Sequence, residues 1–242
     1  MHPSVQLFQE MRQVEPYPMG VKPIPEQIQS TAFFPGGYGL WLESNSGSLP
    51  EFPYEGIMVI GRDFDSEANY RKTLSNPRNN QTAGTWKNIT RFFKEIPLPM
   101  HRCFFTNAYM GLREGTESKG NFPGAMDSGF VDRCRSFLRR QIEVQKPRLI
   151  LALGMEAPQF LGLLCRRLRP WSTCTATKDF EQAGQLFREV DFGIPGHKAT
   201  VVFLVHPSYR HINARHRSYN GYSGNPAEVA LVRNALRSNL AI

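Results

Sequence analysis

The feature that most constrains this chain is a set of short apolar runs that stop at glycine or at polar loops. Ile57-Met58-Val59-Ile60 stops at Gly61, and Cys103-Phe104-Phe105 leads into Thr106-Asn107. Leu149-Ile150-Leu151-Ala152-Leu153 stops at Gly154, and the run Thr200 to Val205 stops at His206. Runs of this length are strands, and their lack of polar alternation marks strands covered on both faces. Helical patterns stand between them. The span Thr85 to Glu95 puts Ile89, Phe92 and Phe93 on one face, Asp127 to Gln145 halts before Pro147, and a helix follows Gly154 through about Leu168. Asn225 to Leu240 closes the chain, with Asn225 as cap and Pro226 in the first helical position. Strands alternating with helices predict a mostly parallel sheet with helices on both faces.

The chain has 242 residues, which suits one α/β domain with some decoration. Residues 1–55 are broken by Pro16, Pro18, Pro23, Pro25, Pro35, Gly36, Gly37 and Gly39. They read as a Pro/Gly-rich arm packed on the domain, with one short helix over Ser4 to Val14 and anchors at Phe33, Phe34 and Trp41. Residues 56–242 read as the α/β domain. The stretch Trp171 to Lys198 is the least legible and fits an insertion or a variable hairpin. There is no internal repeat and no low-complexity tract.

Composition narrows the partners. Lys plus Arg is 29 against 21 for Asp plus Glu, a net charge of +8, which favours a polyanionic partner. No apolar run reaches membrane-spanning length, and the first residues carry no signal-peptide core, so a cytoplasmic protein is expected. Cys103, Cys134, Cys165 and Cys174 contain no C-x-x-C pair. They read as reduced thiols rather than zinc ligands, and no metal is expected.

In open parallel sheets ligands bind beyond the carboxyl ends of the strands. The first strand here runs into Gly61-Arg62-Asp63-Phe64-Asp65, the second into Thr106-Asn107-Ala108-Tyr109, and the last into His206-Pro207-Ser208-Tyr209-Arg210. A carboxylate, an amide and an imidazole are thus expected along one sheet edge. There is no G-x-S-x-G elbow and no dinucleotide fingerprint after a strand. Gly115 to Gly120 has P-loop spacing, but Asn121 stands where the lysine belongs.

The order of these motifs resembles the uracil-DNA glycosylase superfamily. That superfamily has a G-Q-D-P-Y or G-x-x-P-G loop after its first strand, matched by Gly61-Arg62-Asp63-Phe64-Asp65. Gly84-Thr85-Trp86-Lys87-Asn88-Ile89 is similar to its P-S-L-x-N-I segment. Phe104-Phe105-Thr106-Asn107 is similar to its strand ending in asparagine, and His206-Pro207-Ser208 matches its H-P-S motif. The resemblance spans about Gly56 to Leu240. It implies a three-layer α/β/α sandwich with a central, mostly parallel four-stranded sheet, and DNA as partner with no cofactor.

The resemblance also implies roles. Asp63 stands where the family places its water-orienting carboxylate, with Asp65 as an alternative working carboxylate. Asn107 stands where an amide reads the pyrimidine edge, and Gly61, Arg62 and Phe64 fall in the base-binding loop. His206 stands where an imidazole donates to the leaving base. Thr85, Lys87, Ser208, Tyr209, Arg210, Arg215 and Arg217 are the candidate DNA contacts, with Tyr209 and Arg210 as fillers of the vacated stack. Breaking an N-glycosidic bond separates a cationic sugar from an anionic base. A carboxylate near the sugar and a fixed donor near the base suit that separation. The base must first leave the duplex, which needs a filler and phosphate contacts.

Two residues depart from the family pattern. Phe64 replaces a proline, and Asp65 replaces the tyrosine that rejects 5-substituted pyrimidines. The implied substrate is uracil or, by preference, a 5-modified pyrimidine, with a bulky hypermodified cytosine in phage DNA as one form. Like charges on neighbouring Asp63 and Asp65 are expected to raise one carboxyl pKa. The cysteines do not show the iron–sulfur pattern of some members. No lysine stands out as a Schiff-base nucleophile, so the expected enzyme is monofunctional, leaves an abasic site and acts as a monomer without an obligate protein partner. The competing functions are a non-catalytic DNA-binding module and an enzyme of free nucleosides.

Overall fold

A computed structural model of the chain describes residues 1–25, 51–75, 84–96, 98 and 102–237. The proposed anchors Phe33, Phe34 and Trp41 lie outside the described residues. In chain order the helices are α1 (Pro3–Glu10), α2 (Glu67–Ser75), α3 (Gly84–Glu95), α4 (Ser128–Gln145), α5 (Glu156–Leu164), α6 (Thr177–Ala183), α7 (Arg210–Asn213) and α8 (Asn225–Arg237). The strands are β1 (Val21–Lys22), β2 (Ile57–Gly61), β3 (Cys103–Asn107), β4 (Leu112–Arg113), β5 (Leu149–Leu153), β6 (Leu186–Val190), β7 (Ala199–Leu204), β8 (Ser218–Tyr219) and β9 (Tyr222–Ser223).

The central sheet has the order β3-β2-β5-β7-β6. The first four are the strands expected from the apolar runs, and they pair in parallel. Among the described residues the sheet has five strands rather than four. The extra one, β6, pairs antiparallel with β7 and comes from the stretch that was least legible in sequence. Its residues are mostly half-exposed, so it lacks the apolar run that betrays a strand covered on both faces.

Alternation along each strand builds the three layers. Met58 and Ile60 of β2, Ile150 and Ala152 of β5, and Val201 and Phe203 of β7 face one core with Phe130, Phe137 and Ile142 of α4 and Phe160 of α5. Ile57 and Val59, Leu149 and Leu151, and Val202 and Leu204 face the other core with Ile89, Phe92 and Phe93 of α3 and Leu231 and Val232 of α8. Burying each such side chain contributes roughly 1.5–3 kcal/mol. Helix α4 starts where the Asp127 carboxylate accepts the Phe130 N–H at 2.7 Å, and stops at Lys146 in the left-handed region, just before Pro147.

The N-terminal residues that are described pack on the first core. Leu7 and Met11 are buried in it, and β1 pairs antiparallel with β4. The helix expected over Ser4–Val14 is an α-helix to Glu10 that tightens into a 3-10 turn over Met11–Val14. The four cysteines are buried and form no disulfide. Among the described residues no helix is long and apolar enough to cross a membrane.

Candidate active site

The four parallel strands deliver their loops to one edge. Gly61 at the end of β2 pairs with Asn107 at the end of β3, and Leu153 of β5 pairs with Leu204 of β7. Reading across the edge gives Asn107, then the Gly61–Asp65 loop, then the Gly154–Glu156 loop, then His206. Backbone bonds tie the first two loops together, since Gly61 O accepts Ala108 N–H and Arg62 O accepts Tyr109 N–H, both at 2.9 Å.

Asn107 is buried, and its Nδ2 has no hydrogen-bond partner among the described residues. An orphaned buried donor costs about 1–3 kcal/mol, so it marks a place that an incoming acceptor would fill. Two residues further along, Tyr109 stacks on Phe122 at 4.6 Å between ring centroids. Burial, reinforced by the nearby Glu156 charge, pushes the Tyr109 hydroxyl up to about 12, so it stays protonated.

The His206 Nδ1 accepts the Ser208 N–H at 3.2 Å. This assigns the ring proton to Nε2. Burial first, and the Arg62 cation second, hold the imidazole pKa below its ordinary 6.5. His206 is therefore a neutral donor at physiological pH. The turn that carries it is docked on α3, where Asn88 Nδ2 donates to Pro207 O at 3.0 Å and the Thr85 hydroxyl bonds the Ser208 hydroxyl. Two motifs separated by more than a hundred residues thus meet, and Thr85 and Ser208 hold one another.

Asp63 is held by cations. Its Oδ2 accepts Arg62 Nε at 2.8 Å and Arg113 Nη2 at 2.9 Å, and its Oδ1 accepts the Asp65 N–H at 2.9 Å. Arg113 is itself buried and also donates to the carbonyls of Lys119, Gly120 and Asn121. The carboxylates of Asp63 and Asp65 take different partners. Asp65 turns away to the start of α2, where its carboxylate accepts from Ser66 N at 2.6 Å and from Asn69 Nδ2 at 3.2 Å. It sits at φ 72°, a left-handed conformation that aspartate tolerates. Asp65 thus braces the turn that enters α2, where the Ser66 hydroxyl accepts the Asn69 N–H as the helix cap. Phe64 is corrected: it is buried in the core instead of facing a base.

Two of the expected DNA contacts lie in the interior. Arg217 is fully buried, donating to Glu228 at 3.0 Å, Glu181 at 3.1 Å and Phe203 O at 3.2 Å. Arg210 pairs with Glu228 and Asn225, with its guanidinium 3.6 Å from the centre of the Phe92 ring. Neither reaches a phosphate, and Arg210 cannot fill a base stack. Glu228 also accepts the Val205 N–H at 2.8 Å, directly beside His206. Tyr209, Lys87 and Arg215 are exposed, together with His211, Ile212 and His216.

Sequence reasoning missed three charged residues. Glu156 follows the strand-ending Gly154 and lies across the edge with Arg62, Nη1 to Oε1 being 3.5 Å. The signal that found the other loops, polar residues after a strand-ending glycine, was present there too. Arg113 stands beside Glu114 in a polar stretch and Glu228 among the apolar residues of α8, and only partner geometry reveals either. Among the described residues no cluster of three or more His, Cys, Asp or Glu is placed to hold a metal ion.

A search of curated proteins finds no match to this chain. A family model does match, over residues 58–236, which is more than half of the chain; its description is Uracil DNA glycosylase superfamily.

Proposed function

The chain belongs to the uracil DNA glycosylase superfamily, and from that premise we propose that it flips a pyrimidine out of DNA and hydrolyses its N-glycosidic bond, leaving an abasic site. The superfamily acts on DNA, and glycosylase activity in general follows from membership. The observation that carries the finer reading is the buried, partnerless Nδ2 of Asn107 on the same sheet edge as the neutral Nε2–H of His206.

The chemistry suits this pair. As the C1′–N1 bond breaks, its electrons stay on the base, and charge grows on the ring oxygens. A neutral donor that keeps its proton stabilises such an anion without competing for it. Asn107 then reads the base edge, with Gly61 backbone beside it. The sugar side becomes cationic and faces the carboxylates of the edge. Tyr209 is the exposed filler of the vacated stack, and Lys87 and Arg215 contact phosphates.

The preferred substrate is a 5-modified pyrimidine, up to a bulky hypermodified cytosine such as a glucosylated hydroxymethylcytosine. Asp65 supports this reading, because it folds onto α2 and leaves no bulky side chain where the uracil-specific relatives have a tyrosine. Removal of such bases fits defence against phage with modified DNA, and removal of uracil fits repair. The test is incubation with duplexes holding uracil, 5-hydroxymethyluracil or glucosylated hydroxymethylcytosine, followed by alkali. Strand scission at the modified site on at least one duplex is expected. Intact strands on all three would reject the enzyme and favour a non-catalytic DNA-binding module.

A further inference from the structure

We infer that Glu156, and not Asp63, is the carboxylate that takes the proton of the hydrolytic water. This rests on the glycosylase reading above and assigns a catalytic residue outside the motifs that support it.

The two carboxylates share one guanidinium but differ in what remains open. Asp63 has a side chain only 6 % exposed and receives two guanidiniums on Oδ2 and a backbone N–H on Oδ1. Its acceptor capacity is mostly filled, and its ion pair with the buried Arg113 welds the β2 loop to β4. A carboxylate in that setting anchors a loop. Glu156 has a side chain 34 % exposed, and among the described residues its one polar partner is Arg62, at 3.5 Å. It retains acceptor sites that water can reach.

Position agrees. Gly154, at φ 77°, leaves the space between His206 and Glu156 clear: a Cβ there would lie 3.5 Å from His206 Cβ and 3.9 Å from Glu156 Oε2. Glu156 therefore stands on the loop next to the leaving-group donor, between it and Asp63 in strand order. Of the two carboxylates, Glu156 acts more strongly on the imidazole of His206.

The step balances as follows. Water oxygen bonds to C1′ as the C1′–N1 bond breaks, and N1 keeps the electron pair. The water proton passes to a Glu156 carboxylate oxygen. It then passes to the base anion held by His206 Nε2–H, giving the neutral free base and a hydroxyl at C1′. Glu156 returns to its starting state.

The test uses the full chain and two duplex probes that need no turnover. One carries a pyrrolidine abasic analogue, cationic at the sugar ring, and the other a neutral tetrahydrofuran abasic site. The wild-type protein is expected to bind the cationic duplex more tightly. Glu156→Gln should lower that preference on the order of tenfold, since it removes one charge from a partly solvated site. Glu156→Asp should restore part of it. Single-turnover base release on a cleaved duplex should fall about 100-fold or more in Glu156→Gln with KM little changed. A Glu156→Gln protein that keeps the wild-type cation preference overturns the assignment. Loss of base release in the wild type on every duplex, with the preference intact, would instead count against the glycosylase reading and leave Glu156 facing the sugar.

Discussion

Glu228→Gln tests the buried charge cluster behind the His206 loop. The native carboxylate is fully buried and serves three donors: Val205 N–H, Arg217 Nε and Arg210 Nη1. Glutamine keeps the shape and an acceptor for Val205, so the change isolates charge. Removing one partner of a buried ion pair costs about 3–5 kcal/mol, because the other charge is left uncompensated. Two circumstances place this case near the lower end. Arg217 keeps Glu181 at 3.1 Å, and Arg210 keeps Asn225 and the Phe92 face. A loss of about 3 kcal/mol lowers the melting temperature of a chain this size by roughly 6–12 °C. Urea unfolding of the two proteins, with equal slopes, measures it. A loss below about 1 kcal/mol would refute the claim that the cluster is desolvated and mutually dependent. A triple variant, Glu228→Leu with Arg210→Met and Arg217→Leu, should recover only part of the loss, because the guanidiniums are gone but Glu181 loses its Arg217 partner and the Val205 N–H its acceptor.

Asn107→Leu should leave stability unchanged or raise it by about 1 kcal/mol, because the orphaned donor disappears, while base release falls at least ~100-fold; a parallel loss of both would make Asn107 a structural residue. The His206 ring should titrate below 6.5 by NMR, since burial and Arg62 disfavour the imidazolium. The linked stability is complete above 6.5, declines as pH falls below it, and levels off beneath the folded-state pKa; a midpoint at or above 6.5 would contradict the environment described for the ring. Arg215→Gln should reduce the salt slope of DNA binding by about one and leave the melting curve unmoved. An unaltered slope would remove Arg215 from the interface.

Much of the fold was readable because burial on both faces writes itself as unbroken apolar runs, as in Leu149–Leu153. The edge strand β6 carries no such run and could not be recognised that way. The strand-to-loop joints were equally readable at Gly61, Asn107 and His206, since each closes an apolar run. What sequence did not separate was a charged side chain at the surface from one that is buried with a partner. Arg215 and Arg217 stand two residues apart in the same basic loop, yet one is exposed and the other is enclosed by Glu228 and Glu181. The partners of Arg217 come from α6 and α8, so no local pattern encodes its burial. The direction of the Asp65 carboxylate was hidden for a different reason: its backbone conformation turns it to α2, and a position within a motif does not reveal φ.

The edge strand β6 also sets where the sheet ends. By pairing with β7 it keeps the strand that leads to His206 out of contact with other chains. It is poorly suited to accept a further strand itself: its register slips between Phe187 and Val190, and Glu189 within that slip lies at φ 52°. Glu189 is also charged, exposed and paired with Lys198. A kinked and charged border offers no straight row of donors and acceptors to a neighbouring molecule. The hairpin that completes the sheet therefore also guards it against edge-to-edge aggregation.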